Sequence, residues 1–495
     1  MAKLQCLVIP LLLGGCVVGP DYSGPPSLGH ATPRSTFVRG AMSIEANDLE
    51  PKLAKWWVGL KDPVLDELER RALASNTSID IAQARLRQVR SSVRMERANR
   101  FPTAGAQGTG IFADLPGIDL QSNNESISAP ASAASIQDQD TSLRFYNLGL
   151  SANWEIDLAG GQVRKIEAAN ALAAAAVYNV ADAQIQLTAE VAQAYTNLRD
   201  WQQRLAAHRR RVELQEEQLQ LTRQRFQQET VSNLTVSQAN RSVQLTKSDL
   251  AAADAEVETY LNALSVLVGE APGSLDRFLA PPSDIPLPPQ NVVIGDPASL
   301  LRRRPDIRAA ERNLAAATAR IGVAAAARFP KIKFMGVLGI GGTSVGDLVD
   351  LGNISNIAVP QLQWGLLDFG RTSAAISQAR AGRDEAEAQY RQVVLSAFQD
   401  AENSLARFAQ QRRNVAALAD IKRSADESAE LMRQRYQRQV ISKGDNLEAR
   451  CQQLLAEANL RSAVAALTGT YVAIQKSLGL GWIASGDPRS ADPEK

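Results

Sequence analysis

Residues 162–229 contain neither glycine nor proline, and residues 371–439 contain only Gly382. About 68 residues at roughly 1.5 Å each predict a helical rod near 100 Å in both places, far longer than a globular helix. Within the first stretch Leu187, Val191, Ala194, Leu198, Trp201, Leu205, His208, Val212, Gln215, Leu219, Thr222 and Phe226 step by four and three without a slip. That is a mostly apolar heptad seam, and such a rod must pack along another rod. The second stretch is weaker at the same offsets: Ala401, Phe408, Val415, Leu418, Ala425, Met432 and Tyr436 are interrupted by Ser404, Gln411 and Lys422.

The two rods belong to an internal duplication, which precedes any assignment of fold. Trp154 and Trp364 are 210 apart, as are Glu190 and Asp400, Phe226 and Tyr436, Ala239 and Ala449, Leu245 and Leu455, and Gly269 and Gly479. An Arg-Phe-Pro at residues 100–102 recurs at 328–330. Length alone suggests three domains; the duplication reduces them to two similar halves in one architecture.

Between each Arg-Phe-Pro and its tryptophan the period changes. Leu148, Leu150, Ala152 and Trp154 alternate with Gly149, Ser151 and Asn153, a period-2 strand begun near Arg144, with a glycine-rich strand at 103–112 before it. Ile332, Phe334, Leu338 and Ile340 alternate along one strand of the second half, and residues 355–364 return. The connecting loops are 114–140, polar and rich in Ser, Asn and Gln, and the shorter 341–353. Strands of this length suit a tilted bilayer crossing. Four strands cannot close a barrel, which takes about eight, and an open edge in lipid costs several kcal/mol per unpaired backbone group. The strands must therefore come from several chains.

The remaining helices balance in length. Residues 76–99 and 232–269 together approach the first rod, and 297–327 with 442–479 match the second, so two shorter helices stacked end to end run beside each long one. A proline-rich linker, 271–290, joins the halves and reads as extended. Residues 17–51, rich in Pro, Gly and Ser, read as an arm that wraps the surface without building a core.

Lys3, an apolar run over 4–13 and small residues before Cys16 have the pattern of a secretory leader, too short to span a membrane. Leu-Gly-Gly-Cys at 13–16 makes Cys16 a candidate acylated first residue; the alternative is an ordinary leader cut elsewhere. Cys16 and Cys451 have no evident mates, so neither a disulfide framework nor a metal site is implied, and Cys451 reads as a small buried helix residue. His208 lies on the seam, where a satisfied packing histidine is expected over a ligand or base. Lys and Arg total 54 against 53 acidic residues, which leaves no field to hold nucleic acid. The sequence contains no nucleophile elbow, phosphate loop or metal-ligand spacing, so no catalytic residue, metal or cofactor is assigned.

Four segments carry a resemblance that covers almost the whole mature chain: CVVGPDY (16–22), WEIDLAGG (154–161), RRRPDIRAAERNLAAATARIGVAAAARFP (302–330) and WGLLDFGR (364–371). Together they resemble the outer membrane factors, the TolC-like exit ducts of tripartite efflux and type I secretion systems, in the lipoprotein branch typified by OprM and NodT. The resemblance implies an α+β homotrimer, a 12-stranded transmembrane β-barrel continuing into a helical periplasmic tunnel. It further implies an anchor in outer-membrane lipid through palmitoylated Cys16, a periplasmic adaptor and an inner-membrane pump, of the RND type for efflux.

The organisation expected is a signal peptide (1–15), a lipid-anchored arm leading into an equatorial region (16–75), a first repeat (76–270), the linker (271–296), a second repeat (297–480) and a tail (481–495). The function expected is a passive outer-membrane exit duct. A type I protein-secretion channel and a non-channel helical periplasmic scaffold are the alternatives. The resemblance places the gate at the helix hairpin turns and aligns Asp445 and Glu448 with constriction acids; both also suit the first turns of a helix capped by Ser442. Relatives carry glycine at the turns where this chain has Glu229 and Gln439, and Asp where it has Glu448. Arg223, Arg225, Arg433 and Arg435 are candidate adaptor contacts or simply cations near helix C-termini. Trp154 and Trp364 suit an interfacial aromatic belt or a strand-to-helix anchor.

Overall fold

A computed structural model describes residues 17–27, 36–38, 55–115, 141–292, 294 and 296–482. The expected leader, Cys16, most of the 114–140 loop and the end of the tail lie outside these residues. A 3-10 turn at Trp56–Leu60 leads to α1 (Pro63–Ser75) and α2 (Thr77–Ala98), then β1 (Thr103–Leu115) and β2 (Thr141–Ile156). The first rod, α3 (Gly161–Gln227), turns into α4 (Asn233–Leu267). After a single turn, α5 (Asp276–Leu279), the order repeats as α6 (Pro297–Arg303), α7 (Pro305–Ala326), β3 (Lys331–Gly342), β4 (Ile354–Gln363), α8 (Arg371–Gln437) and α9 (Lys443–Ser477). Two compact units emerge, one of Met1–Ser23, Arg90–Ala171 and Ala315–Asp384, the other of Gly24–Val89, Leu172–Leu314 and Glu385–Lys495.

In the first unit the strands form one antiparallel sheet in the order β1-β2-β3-β4. The register sets Leu148 opposite Ile340, Leu150 opposite Leu338 and Trp154 opposite Phe334. Because side chains alternate along a strand, these apolar residues share one face with Ile332 and Leu362, whereas Asn147, Ser151, Asn153, Lys331, Lys333 and Gln361 share the other, more polar face with Met335, Val337, Ile357 and Val359. The apolar face is bare: Leu150 is 57% exposed and Leu338 52%. Among the described residues, β1 and β4 each pair on one side only. β2 begins three residues before the expected start, because its ladder with β1 runs to Thr141 opposite Leu115.

In the second unit, the core gathers Trp56, Trp57, Leu65, Leu68, Tyr195, Leu198, Leu264 and Tyr471. Each buried leucine stabilises by roughly 1.5–3 kcal/mol. Phe37 is part of this core, so the arm does not merely wrap the surface. Arg199, itself buried, donates to the carbonyls of Leu279 (3.1 Å) and Pro281 (2.8 Å) and lies 5.0 Å over the Tyr195 ring. Tyr195 in turn donates to Asp62 (2.7 Å), so one network ties the linker to α3 and to the cap of α1. The linker is not wholly extended, since α5 interrupts it.

One expected helix is two. Residues 297–327 break between α6 and α7 because Pro305 has no N–H and its ring would clash with the preceding turn. The first half breaks at the corresponding place, between α1 and α2, and the two breaks are latched alike. Asn76 Nδ2 donates to the carbonyl of Leu267 (2.8 Å) and Arg304 Nη1 to that of Ser477 (3.0 Å), acceptors 210 residues apart.

Along the rod, Leu187, Val191, Ala194, Leu198, Leu205 and Leu219 of the seam are buried, but Phe226 is exposed. His208 is half-buried, and burial, then Arg211, lower its pKa. Its Nδ1 has no hydrogen-bond partner among the described residues, so the expected satisfaction is missing at that nitrogen.

Candidate functional site

The chain turns back on itself at two hairpins, and both use one device. Past the end of α3 the Glu229 amide donates to Phe226 O and the Thr230 amide to Arg225 O; past α8, Gln439 donates to Tyr436 O and Val440 to Arg435 O. The same paired bonds close α4 at Gly269 and α9 at Gly479. This closure puts the residue beyond the helix in the left-handed region, where glycine is ordinarily required. Gly269 and Gly479 meet that demand at φ 78° and 71°, but Glu229 (57°) and Gln439 (60°) adopt it with a Cβ. The rods end two residues earlier than expected for this reason.

The return helices start on serine caps. Ser232 Oγ accepts from the Thr235 amide. Ser442 goes further: its Oγ accepts from the Asp445 amide (3.2 Å), while Asp445 Oδ2 accepts from Ser442 N (3.1 Å) and Oγ (2.8 Å). These donors, the Ser442 hydroxyl foremost, hold the Asp445 carboxyl below its usual range, with Arg225 adding a smaller pull. Glu448, one turn on, accepts from Gln452 (2.7 Å), and both acids are exposed. The equivalent residues of the first half, Thr235 and Gln238, are neutral. At these two positions, therefore, only the α8–α9 hairpin is acidic, although Glu229 stands in the α3–α4 turn itself.

Of the tip candidates, Arg225 lies near enough to Asp445 to lower its pKa. All four arginines are exposed, and Arg433 makes a two-pronged ion pair with Glu430 (2.8 and 2.5 Å). α9 is fastened to α3 just above the turn by Lys443 and Glu217 (2.5 Å) and by an apolar cluster of Leu214, Leu447 and buried Cys451. Burial pushes the Cys451 thiol up.

In the sheet unit the two tryptophans act as anchors. Trp154 Nε1 donates to Arg100 O (2.9 Å) and Trp364 Nε1 to Arg328 O (3.1 Å), each reaching the arginine of its own Arg-Phe-Pro. Both rings remain more than a third exposed, so the anchoring leaves an indole surface free for an interface.

Three groups escaped sequence reasoning. Arg164, almost wholly buried, clamps residues 18–21: Nε donates to Val18 O (3.1 Å), and Nη2 to Gly19 O (3.1 Å) and Asp21 Oδ1 (2.7 Å). Val18 N adds a bond to Ala159 O (3.1 Å), and Gly19 lies where a Cβ would sit 2.4 Å from Gly322 Cα. Glu69 is fully buried on α1 with no partner for either carboxylate oxygen among the described residues, and burial, then Asp66, raise its pKa well above the ordinary range. Arg304 is the third; its place in the RRRPD motif was the available signal.

Comparison with known proteins matches the family model described as outer membrane efflux protein to residues 68–270 and 297–480. Nodulation protein T of Rhizobium leguminosarum bv. trifolii is 27% identical over 473 residues, 95% of this chain and 96% of that protein. The antibiotic efflux pump outer membrane protein ArpC of Pseudomonas putida is 28% identical over 488 residues, 97% and 95% of the two chains. Among solved structures, the outer-membrane channel OprN superposes with a TM-score of 0.81 at 30% identity, covering 94% of this chain and all of that one.

Proposed function

The chain belongs to the outer membrane efflux protein family, and from that premise we propose how it forms the outer-membrane exit duct of an efflux system. Three copies assemble, their sheets joining β1 to β4 into a 12-stranded barrel whose apolar face meets lipid and whose polar face lines water. The observation that carries this is the pair of unpaired sheet edges beside a bare apolar face. Neither is stable in water, and in lipid an open edge is not tolerated. Trp154 and Trp364 sit at the lipid interface, their N–H groups already satisfied.

Cys16 carries the lipid anchor. The Arg164 clamp supports this, because it pins residues 18–21 beside the start of α3 and so fixes where an acyl chain attached two residues earlier departs. The paired rods carry the duct through the periplasm, where an adaptor docks and an inner-membrane pump of the RND type delivers solute. The acids of the α8–α9 turn face the narrow mouth, and a threefold ring of Asp445 and Glu448 favours cations there. The duct itself is passive.

Detergent-solubilised protein is expected to have the mass of three acylated chains and to conduct in planar bilayers. Asp445→Asn with Glu448→Gln is expected to lower cation preference without abolishing conductance. A detergent-independent monomer without conductance would sink the proposal.

A further inference from the structure

The more polar face of the sheet is covered at one place. Asn147 of β2 lies on that face and is 6% exposed, although its neighbours there on β3, Gly339 and Gly341, have no side chains to cover it. The Asn147 amide lies across Gly339, where a Cβ would come within 2.6 Å of its Oδ1. On the other face of the same strand Leu148 is 58% exposed. The cover comes from the β3–β4 connection, whose 3-10 turn at Val345–Val349 lies against β2 as well as β3. A turn that only extended the hairpin would leave β2 alone. This one folds back over the more polar face, at the end of the sheet away from α3.

Local hydrogen bonds hold the turn in that shape. Ser344 N donates to Asp347 Oδ2 (2.9 Å) and Gly346 N to Ser344 Oγ (3.2 Å), while Gly352 N donates to Asp350 Oδ1 (2.9 Å) in the second turn, Leu351–Asn353. Gly342 permits the close return, since a Cβ there would fall 2.2 Å from Asp347 Oδ2. Ser344, Asp347 and Asp350 are thus engaged in caps, and the large side chains left exposed are apolar. Val345 is 61% exposed, Val349 87% and Leu351 73%, whereas Leu348 is half-buried.

We propose that this turn is an inward-folded lid at the outer mouth of the duct, where three copies present Val345, Val349 and Leu351 to one another as an apolar constriction. The inference rests on the barrel reading, in which the more polar face lines water, and adds to it a narrowing at the outer end. A closed symmetric ring sets identical turns around one axis, so the surface that each lid meets across the lumen is its own. Apolar side chains exposed on the water side are stabilised by meeting there. A narrow apolar ring excludes water and ions by dewetting, so the outer mouth discriminates by a different chemistry from an acidic turn.

The test is distance measurement between spin labels on acylated full-length protein in lipid, in a Cys451→Ala background. A label at Val349→Cys is expected to give shorter copy-to-copy distances than one at Gln361→Cys, on the more polar face of β4. A label at Leu362→Cys, on the apolar face, is expected to give longer distances than either. Val349 distances longer than those of Gln361 overturn the inward fold while the barrel reading stands. Gln361 distances no shorter than those of Leu362, or no copy-to-copy distances at all, overturn both. With the label at Leu351→Cys, adding Val345→Asp and Val349→Asp is expected to lengthen the distance and to raise collisions of the label with a water-soluble nickel chelate, because carboxylates facing each other across a narrow mouth repel and wet it. No change in either means that the lids do not meet, which overturns the constriction.

Discussion

At Glu229 and Gln439 the two hairpins use residues with a Cβ where the backbone geometry asks for glycine, which makes their local stability calculable. A left-handed conformation costs a residue with a Cβ about 1–2 kcal/mol. Replacing it by glycine removes that cost but frees the unfolded turn, a loss of about 0.4–1 kcal/mol. The difference leaves Glu229→Gly and Gln439→Gly each stabilising the turn by about 0.5–1 kcal/mol, a twofold to fivefold shift in local opening. Nothing else is given up, because Glu229 and Gln439 are exposed. The reverse substitution at the duplicate position is far worse: a Cβ on Gly269 would sit 2.2 Å from Ser75 O, a backbone atom that cannot step aside. Hydrogen exchange of the Thr230 amide, bonded to Arg225 O at 2.9 Å, reports the opening directly. It is expected to slow twofold to fivefold in Glu229→Gly, and Gly269→Ala is expected to speed exchange of the Glu270 amide more than tenfold. Unchanged or faster exchange at Thr230 in Glu229→Gly would refute the strain reasoning.

Three further outcomes follow from the same geometry. Arg164→Lys cannot reach both Val18 O and Gly19 O; with hydrogen bonds to charged groups worth about 1.5–3 kcal/mol, limited proteolysis is expected to cut residues 17–23 at least tenfold faster than in the parent. Glu69 has a folded pKa raised above its unfolded value, so its contribution is full below the ordinary carboxylate range and lost as pH rises through the raised value. The unfolding temperature of the parent is therefore expected to fall as pH rises above the ordinary carboxylate range, and Glu69→Leu to flatten that decline; equal slopes would rule out Glu69 as the cause. Trp154→Phe and Trp364→Phe each lose one indole bond worth about 0.5–1.5 kcal/mol, and the two are expected to lower the melting temperature of the detergent-solubilised protein by similar amounts.

How far the sequence reaches depends on whether a contact leaves a period behind. The rods, the hairpins and the apolar sheet face were legible because helix and strand repeat at 3.6 and 2, and the 210-residue duplication let each half check the other. The break at Pro305 was missed because the apolar pattern resumes on its far side, while the physics is local: one absent N–H and one clash. The latches were illegible for a different reason. Asn76 and Arg304 do the same work on carbonyls 210 residues apart, yet share no chemistry beyond donating a hydrogen bond, so nothing in the residue types marks them as a pair. Arg164 reaches across 146 residues to the arm, and no spacing rule announces such a contact. The candidate site divides in the same way. Capping gives Asp445 a role within one chain that Ser442 three residues before it already indicates. Glu448, which no cap requires, is the acid that tests the proposed ring, because its substitution separates a ring at the duct mouth from a well-made helix start. If cation preference falls in Glu448→Gln alone, with the Ser442 cap untouched, the acidity of the turn serves conduction; if it falls only when Asp445 is changed, the cap geometry and not the ring sets the mouth.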